Sequence, residues 1–107
     1  MAGPLFESLA TLSVRVAAQA AQAEVGHLRT GNGEREVDLV LEGREGQVLG
    51  IEIKLATAVV DRDVRHLHWL RQQLPDDVVD LVVLTTGSAA YRRPDGVAVV
   101  PLALLGA

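Results

Sequence analysis

Residues 36–55, EVDLVLEGREGQVLGIEIKL, hold two strand patterns on either side of one turn. The first seven residues alternate, with Val37, Leu39 and Leu41 on one side and Asp38 and Val40 on the other. GREG, residues 43–46, has the composition of a turn. In the following run, residues 47–55, Leu49, Ile51, Ile53 and Leu55 share one face, and Val48, Gly50, Glu52 and Lys54 share the other. Strands joined so tightly pair antiparallel. Asp38 is then expected directly beside Glu52 and Lys54.

Working outward, residues 25–29 read as a further strand, joined to the first by the turn TGNGE, residues 30–34. Three successive strands form an antiparallel meander. Upstream, Pro4 opens a helical pattern in which Leu5, Leu9, Leu12 and Val16 fall on one face, and which runs out near Glu24–Gly26. Downstream, Asp61 is placed to cap a second helix. Val64, Leu67, Trp69, Leu70 and Leu74 give that helix a broad apolar side, and Pro75 ends it. VVDLVVL, residues 78–84, has the near-continuous apolar character of a buried parallel strand. TTGSAAYRRPDG, residues 85–96, reads as loop; VAVVP, residues 97–101, is a last short strand, and PLALLG a closing helical turn. The order predicts one domain over residues 1–107: an α/β mixed sheet of αβββαβ type with helices packed on it.

Composition narrows the function classes. A hydrophobic fraction of 49% supports a folded core, and with only Phe6, Trp69 and Tyr91 as aromatics that core must be aliphatic. There is no cysteine, which removes disulfides and thiolate metal sites. Neither a signal peptide nor a membrane-length apolar run is legible, so a soluble cytoplasmic protein without membrane partners is expected. The net charge of −4 is a poor bulk signature for nucleic-acid binding. A bound divalent cation would change the local field, so nuclease chemistry stays open.

Lys54 is the sole lysine beside nine arginines, and it shares a strand face with Glu52. Two carboxylates at one place, Asp38 and Glu52, raise each other's pKa unless a cation compensates. Magnesium or manganese, which prefer hard oxygen ligands, are the natural compensators. A lysine alongside can orient a water or stabilise developing charge, which together makes a phosphodiester-cleaving constellation. The plainer alternative is a solvated strand face with a cross-strand ion pair between Asp38 and Lys54. Glu7, on the flank of the first helix, is a further oxygen donor, or an acid placed well in a first helical turn.

The framework GPLFESL (3–9), HLRTGNGEREVDLVLE (27–42), VLGIEIKLA (48–56) and AYRRPDGVAVVPLALL (90–105) resembles a carboxy-terminal domain of bacterial and archaeal AAA-type ATPases. That domain, of unknown function, is similar to the restriction-endonuclease-like superfamily, whose signature is Asp followed by Glu-x-Lys on adjacent strands. The resemblance implies Asp38 and Glu52 as metal ligands, with the Ile53 carbonyl and Glu7 as further ligands, and Lys54 as the catalytic lysine. It implies Mg2+ or Mn2+ as cofactor and nucleic acid as substrate. GxxxxGK[ST] does not occur, so the chain reads as a domain excised from, or surviving without, an ATPase. A docking or oligomerisation module, partnered by an ATPase domain or a second copy, is the alternative to an enzyme.

Other motifs carry less. His66 and His68, two apart on a helix, do not chelate, and His27 has no candidate co-ligand nearby. Ser88 follows Gly87 without a nucleophile elbow. Arg29, Arg35, Arg92 and Arg93 are candidate phosphate contacts, or simply surface charge. Trp69 is read as core or partner-facing rather than as a base-stacking platform.

Overall fold

The computed structural model describes residues 22–31 and 33–105. The helix expected upstream, with Leu5, Leu9, Leu12, Val16 and Glu7, falls outside the described residues. Six strands form one mixed sheet: β1 (Glu24–Arg29), β2 (Glu36–Glu42), β3 (Val48–Lys54), β4 (Val78–Thr85), β5 (Tyr91–Arg92) and β6 (Ala98–Pro101). Their order across the sheet is β1-β2-β3-β4-β6-β5. One helix, α1 (Asp61–Gln73), connects β3 to β4, and a 3-10 turn (Leu102–Leu105) follows β6. This is an α/β fold of the restriction-endonuclease-like type.

The expected meander is present, since β1 pairs β2 and β2 pairs β3, both antiparallel. The β2–β3 turn closes with the Gly43 N–H donating to the Gln47 carbonyl at 2.8 Å, and Gly46 takes the positive φ of 84° that the reversal needs. β4 then lies parallel to β3 and to β6, as its apolar run predicts. Parallel pairing needs a crossover long enough for a helix, which α1 supplies. The segment read as loop over residues 85–96 contains a two-residue strand, Tyr91–Arg92, antiparallel to β6. Two residues are too few for any periodicity to register.

The two faces of the sheet bury separate clusters. On the α1 side, Leu67, Leu70 and Val64 meet Val37, Val48, Leu81, Val83, Val97 and Val99. On the other, Leu39, Ile51 and Leu84 gather Leu41, Leu49, Ile53 and Val100. Gly50 lets α1 lie close: a β-carbon there would come within 2.8 Å of Leu70 Cδ2 and 3.1 Å of Leu81 Cδ2.

One face assignment is corrected. Val37 belongs with the helix-side cluster and not with Leu39 and Leu41. The cause is a register shift between β1 and β2, where Gly26 faces Val40 but Leu28 faces Val37. Two steps along β1 span three along β2, so an extra residue at Asp38–Leu39 reverses the alternation.

The start of α1 also differs from expectation. Val60 occupies the N-cap and Asp61 is the first helical residue. The cap oxygen comes instead from Asp63, whose Oδ2 accepts the Val60 N–H at 2.9 Å. Asp61 is turned toward Arg93, which donates to it at 2.6 Å and to the Val59 carbonyl at 2.8 Å. The helix stops as expected before Pro75, with the Leu74 N–H donating to the Leu70 carbonyl.

Candidate functional site

The bulge in β2 falls where β2 and β3 stop pairing regularly. The ladder runs from Glu42 opposite Val48 as far as Leu39 opposite Ile51. Beyond it, carboxylates take over the backbone groups: Asp38 Oδ2 accepts the Ile53 N–H at 2.9 Å, and the Asp38 N–H donates to Glu52 Oε1 at 3.2 Å. Each acid is tied to the other's strand, so the two cannot drift apart without leaving buried amides unpaired. Burial, first, and then the charge of Asp38 push the Glu52 carboxyl up to about 8. Glu36 and Asp63 add to that effect, against the Asp38 N–H, which lowers it. At neutral pH Glu52 therefore holds a proton that a cation would have to displace.

Glu52 and Lys54 face α1, as their position in register with Val48 and Gly50 requires. They open with Ile53 into a pocket of about 240 Å3, whose opposite wall is Arg62, Asp63, Arg65 and His66 from the first two turns of α1. Lys54 does not pair across the strands with Asp38. Its Nζ lies 3.0 Å from Asp63 Oδ1, and the Asp63 side chain is only 9% exposed. The two oxygens of Asp63 thus divide their work, one capping the helix and one holding the lysine. Burial pushes the Asp63 carboxyl up, but the Val60 N–H and Lys54, with Arg62 nearby, outweigh it and hold it below its usual range. His66 is anchored by Nδ1, which lies 2.8 Å from the Glu36 carbonyl oxygen and 3.1 Å from the Glu36 backbone nitrogen. Its Nε2 is buried and has no hydrogen-bond partner among the described residues.

With the geometry in view, the comparison with known families is informative. A family profile described as Domain of unknown function (DUF4143) matches residues 2–105. The chain belongs to this family. No curated protein and no solved structure matches it. The family assignment covers nearly the whole chain, so β2, β3 and α1 of the pocket all belong to the DUF4143 domain.

The donor set of this DUF4143 domain suits a hard divalent cation in chemistry: two carboxylates brought together, with the Ile53 carbonyl adjacent in sequence. Among the described residues no three of His, Cys, Asp or Glu converge as a ligand group. Glu7, the further ligand expected from the sequence, lies outside those residues. Among the described residues, Asp38 and Glu52 supply the paired acids, with Asp63 on the pocket wall engaged by Lys54.

The arginines expected at phosphates are engaged elsewhere. Arg29 pairs with Glu36 at 3.4 Å, and Arg35 lies over the Trp69 ring at 5.8 Å. Arg92 grips Asp80 at 2.9 Å and the Gly96 carbonyl at 2.7 Å. Arg93 holds Asp61 and Asp95. The Arg92 and Arg93 bonds fasten the β5–β6 hairpin to β4 and α1. His66 and His68 diverge as expected, since His68 Nε2 is 2.9 Å from Asp95 Oδ2. Trp69 packs against the core and is not a free stacking surface.

Sequence patterning does not single out Asp63, Arg62, Arg65 or the pocket role of His66. A signal exists all the same: an acid three residues after Val60, with charged residues at helical spacing over the Glu-x-Lys strand. Replacing Asp63 with Ala is expected to destabilise the domain by about 0.5–2 kcal/mol through the lost cap. Asp63→Asn should recover most of that loss, because its amide oxygen still accepts the Val60 N–H, while releasing Lys54. Urea unfolding of the two variants checks it; equal losses would mean that the cap is not the source.

Proposed function

We propose that this DUF4143 domain is a metal-dependent phosphodiesterase acting on nucleic acid, with Asp38, Glu52 and Lys54 as its working residues. The observation that carries this reading is the mutual tethering of Asp38 and Glu52. It holds Asp38 beside Glu52, and Glu52 lines a pocket that also presents a lysine. Asp38, Glu52, the Ile53 carbonyl and Glu7 would hold Mg2+ or Mn2+. Such an ion supplies charge neutralisation at a phosphodiester and acidifies water. The chain's own part is to desolvate and orient. Ile53 and Ile51 root β3 in the far cluster, so Glu52 and Lys54 are presented on a rigid strand. Lys54, steered by Asp63, brings positive charge where a phosphorane develops its negative charge. A 3′-hydroxyl leaving group and a 5′-phosphate product are expected from the superfamily resemblance.

The test is cleavage of labelled single- and double-stranded DNA, and of RNA, with and without Mg2+ or Mn2+. Lys54→Ala should lower turnover by about 10²–10³-fold while circular dichroism stays unchanged. Asp38→Asn, which keeps an acceptor for the Ile53 N–H, should abolish the metal dependence.

A second reading, docking to an AAA-type ATPase, draws on the resemblance and on the absence of a three-ligand group among the described residues. If calorimetry detects no Mg2+ or Mn2+ binding and Asp38→Asn changes no measured property, that reading stands and the catalytic one falls.

A further inference from the structure

The pocket sets Glu52 and Lys54 on its floor beneath a cationic rim, and the rim is not accounted for by folding. Arg62 and Arg65 are three apart on α1, which places them side by side along one helix face. Both are exposed and both line the pocket opposite Glu52 and Lys54. Among the described residues neither guanidinium donates a hydrogen bond or closes an ion pair, in contrast to those of Arg29, Arg92 and Arg93. In the same lining, the buried Nε2 of His66 has no partner among the described residues. Arginine at such a rim is suited to phosphate, because its planar fork engages two oxygens and sheds water readily.

We infer that Arg62 and Arg65 are the residues that seat a nucleic-acid backbone, gripping the phosphates that flank the one lying over Glu52 and Lys54. The inference rests on reading the pocket as a phosphodiester site, but it concerns binding and not chemistry. Recognition here is by charge and spacing. Among the described residues, Trp69 is packed on the core and Tyr91 lies on β5, so neither offers a stacking platform at the pocket. Binding is therefore expected to be indifferent to base sequence. It also meets the objection of the net charge of −4, since what a strand encounters is the local rim and not the total.

The experiment is fluorescence anisotropy of labelled oligodeoxythymidine, of a DNA duplex and of an RNA of equal length, titrated with the Asp38→Asn protein at several salt concentrations. Adding Arg62→Gln and Arg65→Gln together should weaken binding to whichever strands bind. For a single strand, the log–log salt slope should fall by about 1.4, the value expected when two phosphates are no longer neutralised. Arg44→Gln with Arg92→Gln makes the same change in charge away from the pocket, in the β2–β3 turn and at the opposite end of β4, and should leave the slope alone. Both pairs are exposed, and thermal unfolding checks that each variant is folded. Arginine-dependent binding without cleavage in any metal would uphold this inference and sink the catalytic proposal. Cleavage with affinity unaltered by Arg62→Gln and Arg65→Gln would do the reverse. No binding to any of the three nucleic acids, or equal losses from the two arginine pairs, overturns the inference.

Discussion

In buffer free of divalent cations, the unfolding free energy should fall as pH rises from about 5 to 8, and Glu52→Gln should remove that fall. Glu52 titrates at about 8 in the folded protein, against 4.5 for an unperturbed side chain. Below the lower value both states carry the proton, and burial of the neutral acid is harmless. Between the two, the folded protein keeps a proton that the unfolded chain has lost, so rising pH favours unfolding, with a slope approaching about 1.4 kcal/mol per pH unit. The stability is therefore present at low pH and gone once pH passes the folded value. Glutamine holds the neutral shape at every pH and still offers an oxygen to the Asp38 N–H. The variant should consequently be the more stable protein at pH 8, although it removes the residue proposed to be functional. Asp63, Asp80 and Asp95 are shifted downward and lose their contribution only as pH falls, which keeps them out of this window. Denaturant titrations of both proteins across the range check the prediction, and parallel profiles would overturn it. If Asp38 and Glu52 hold a cation, magnesium should flatten the wild-type profile and leave that of the variant unchanged.

Leu67→Ala is expected to lower stability by about 2–5 kcal/mol. Leu67 is fully buried, at the centre of the helix-side cluster. Its Cδ2 would lie 3.3 Å from a β-carbon at position 50, so it sits on the floor formed by Gly50. α1 has little freedom to sink further, because that approach is already set by the absent side chain of Gly50. The cavity should stay largely open and the loss should fall in the upper half of the range. The same helix carries Asp63, Arg62, Arg65 and His66, so a loosened α1 also loosens the wall of the pocket. Urea unfolding gives the stability loss. A change below about 1 kcal/mol would mean that α1 is not anchored through Leu67.

Much of this architecture is legible in the residues alone. The strands over residues 36–42 and 48–54, the short turn between them, and the parallel character of residues 78–85 follow from alternation, turn chemistry and unbroken apolar runs. The placement of Glu52 and Lys54 on one strand face follows in the same way. These are local properties, repeated over enough residues for a period to show. A two-residue strand such as Tyr91–Arg92 has no period, and it exists only because β6 offers an edge.

The site itself divides along the same line. Sequence spacing is sufficient to put Asp38 next to Glu52, because antiparallel strands joined by a short turn have little choice of neighbour. It cannot reveal the bulge that turns Val37 to the helix side and leaves carboxylates bonded to backbone amides, since a bulge is a mismatch between two strands and not a property of one. Nor can it say that Lys54 meets Asp63 and not Asp38. Which element covers a strand face is decided by where the crossover helix lands, and that depends on Gly50, Leu67 and Leu70 fitting together in space. Alternation tells which way a side chain points; only the packing of α1 onto the sheet decides what it finds there.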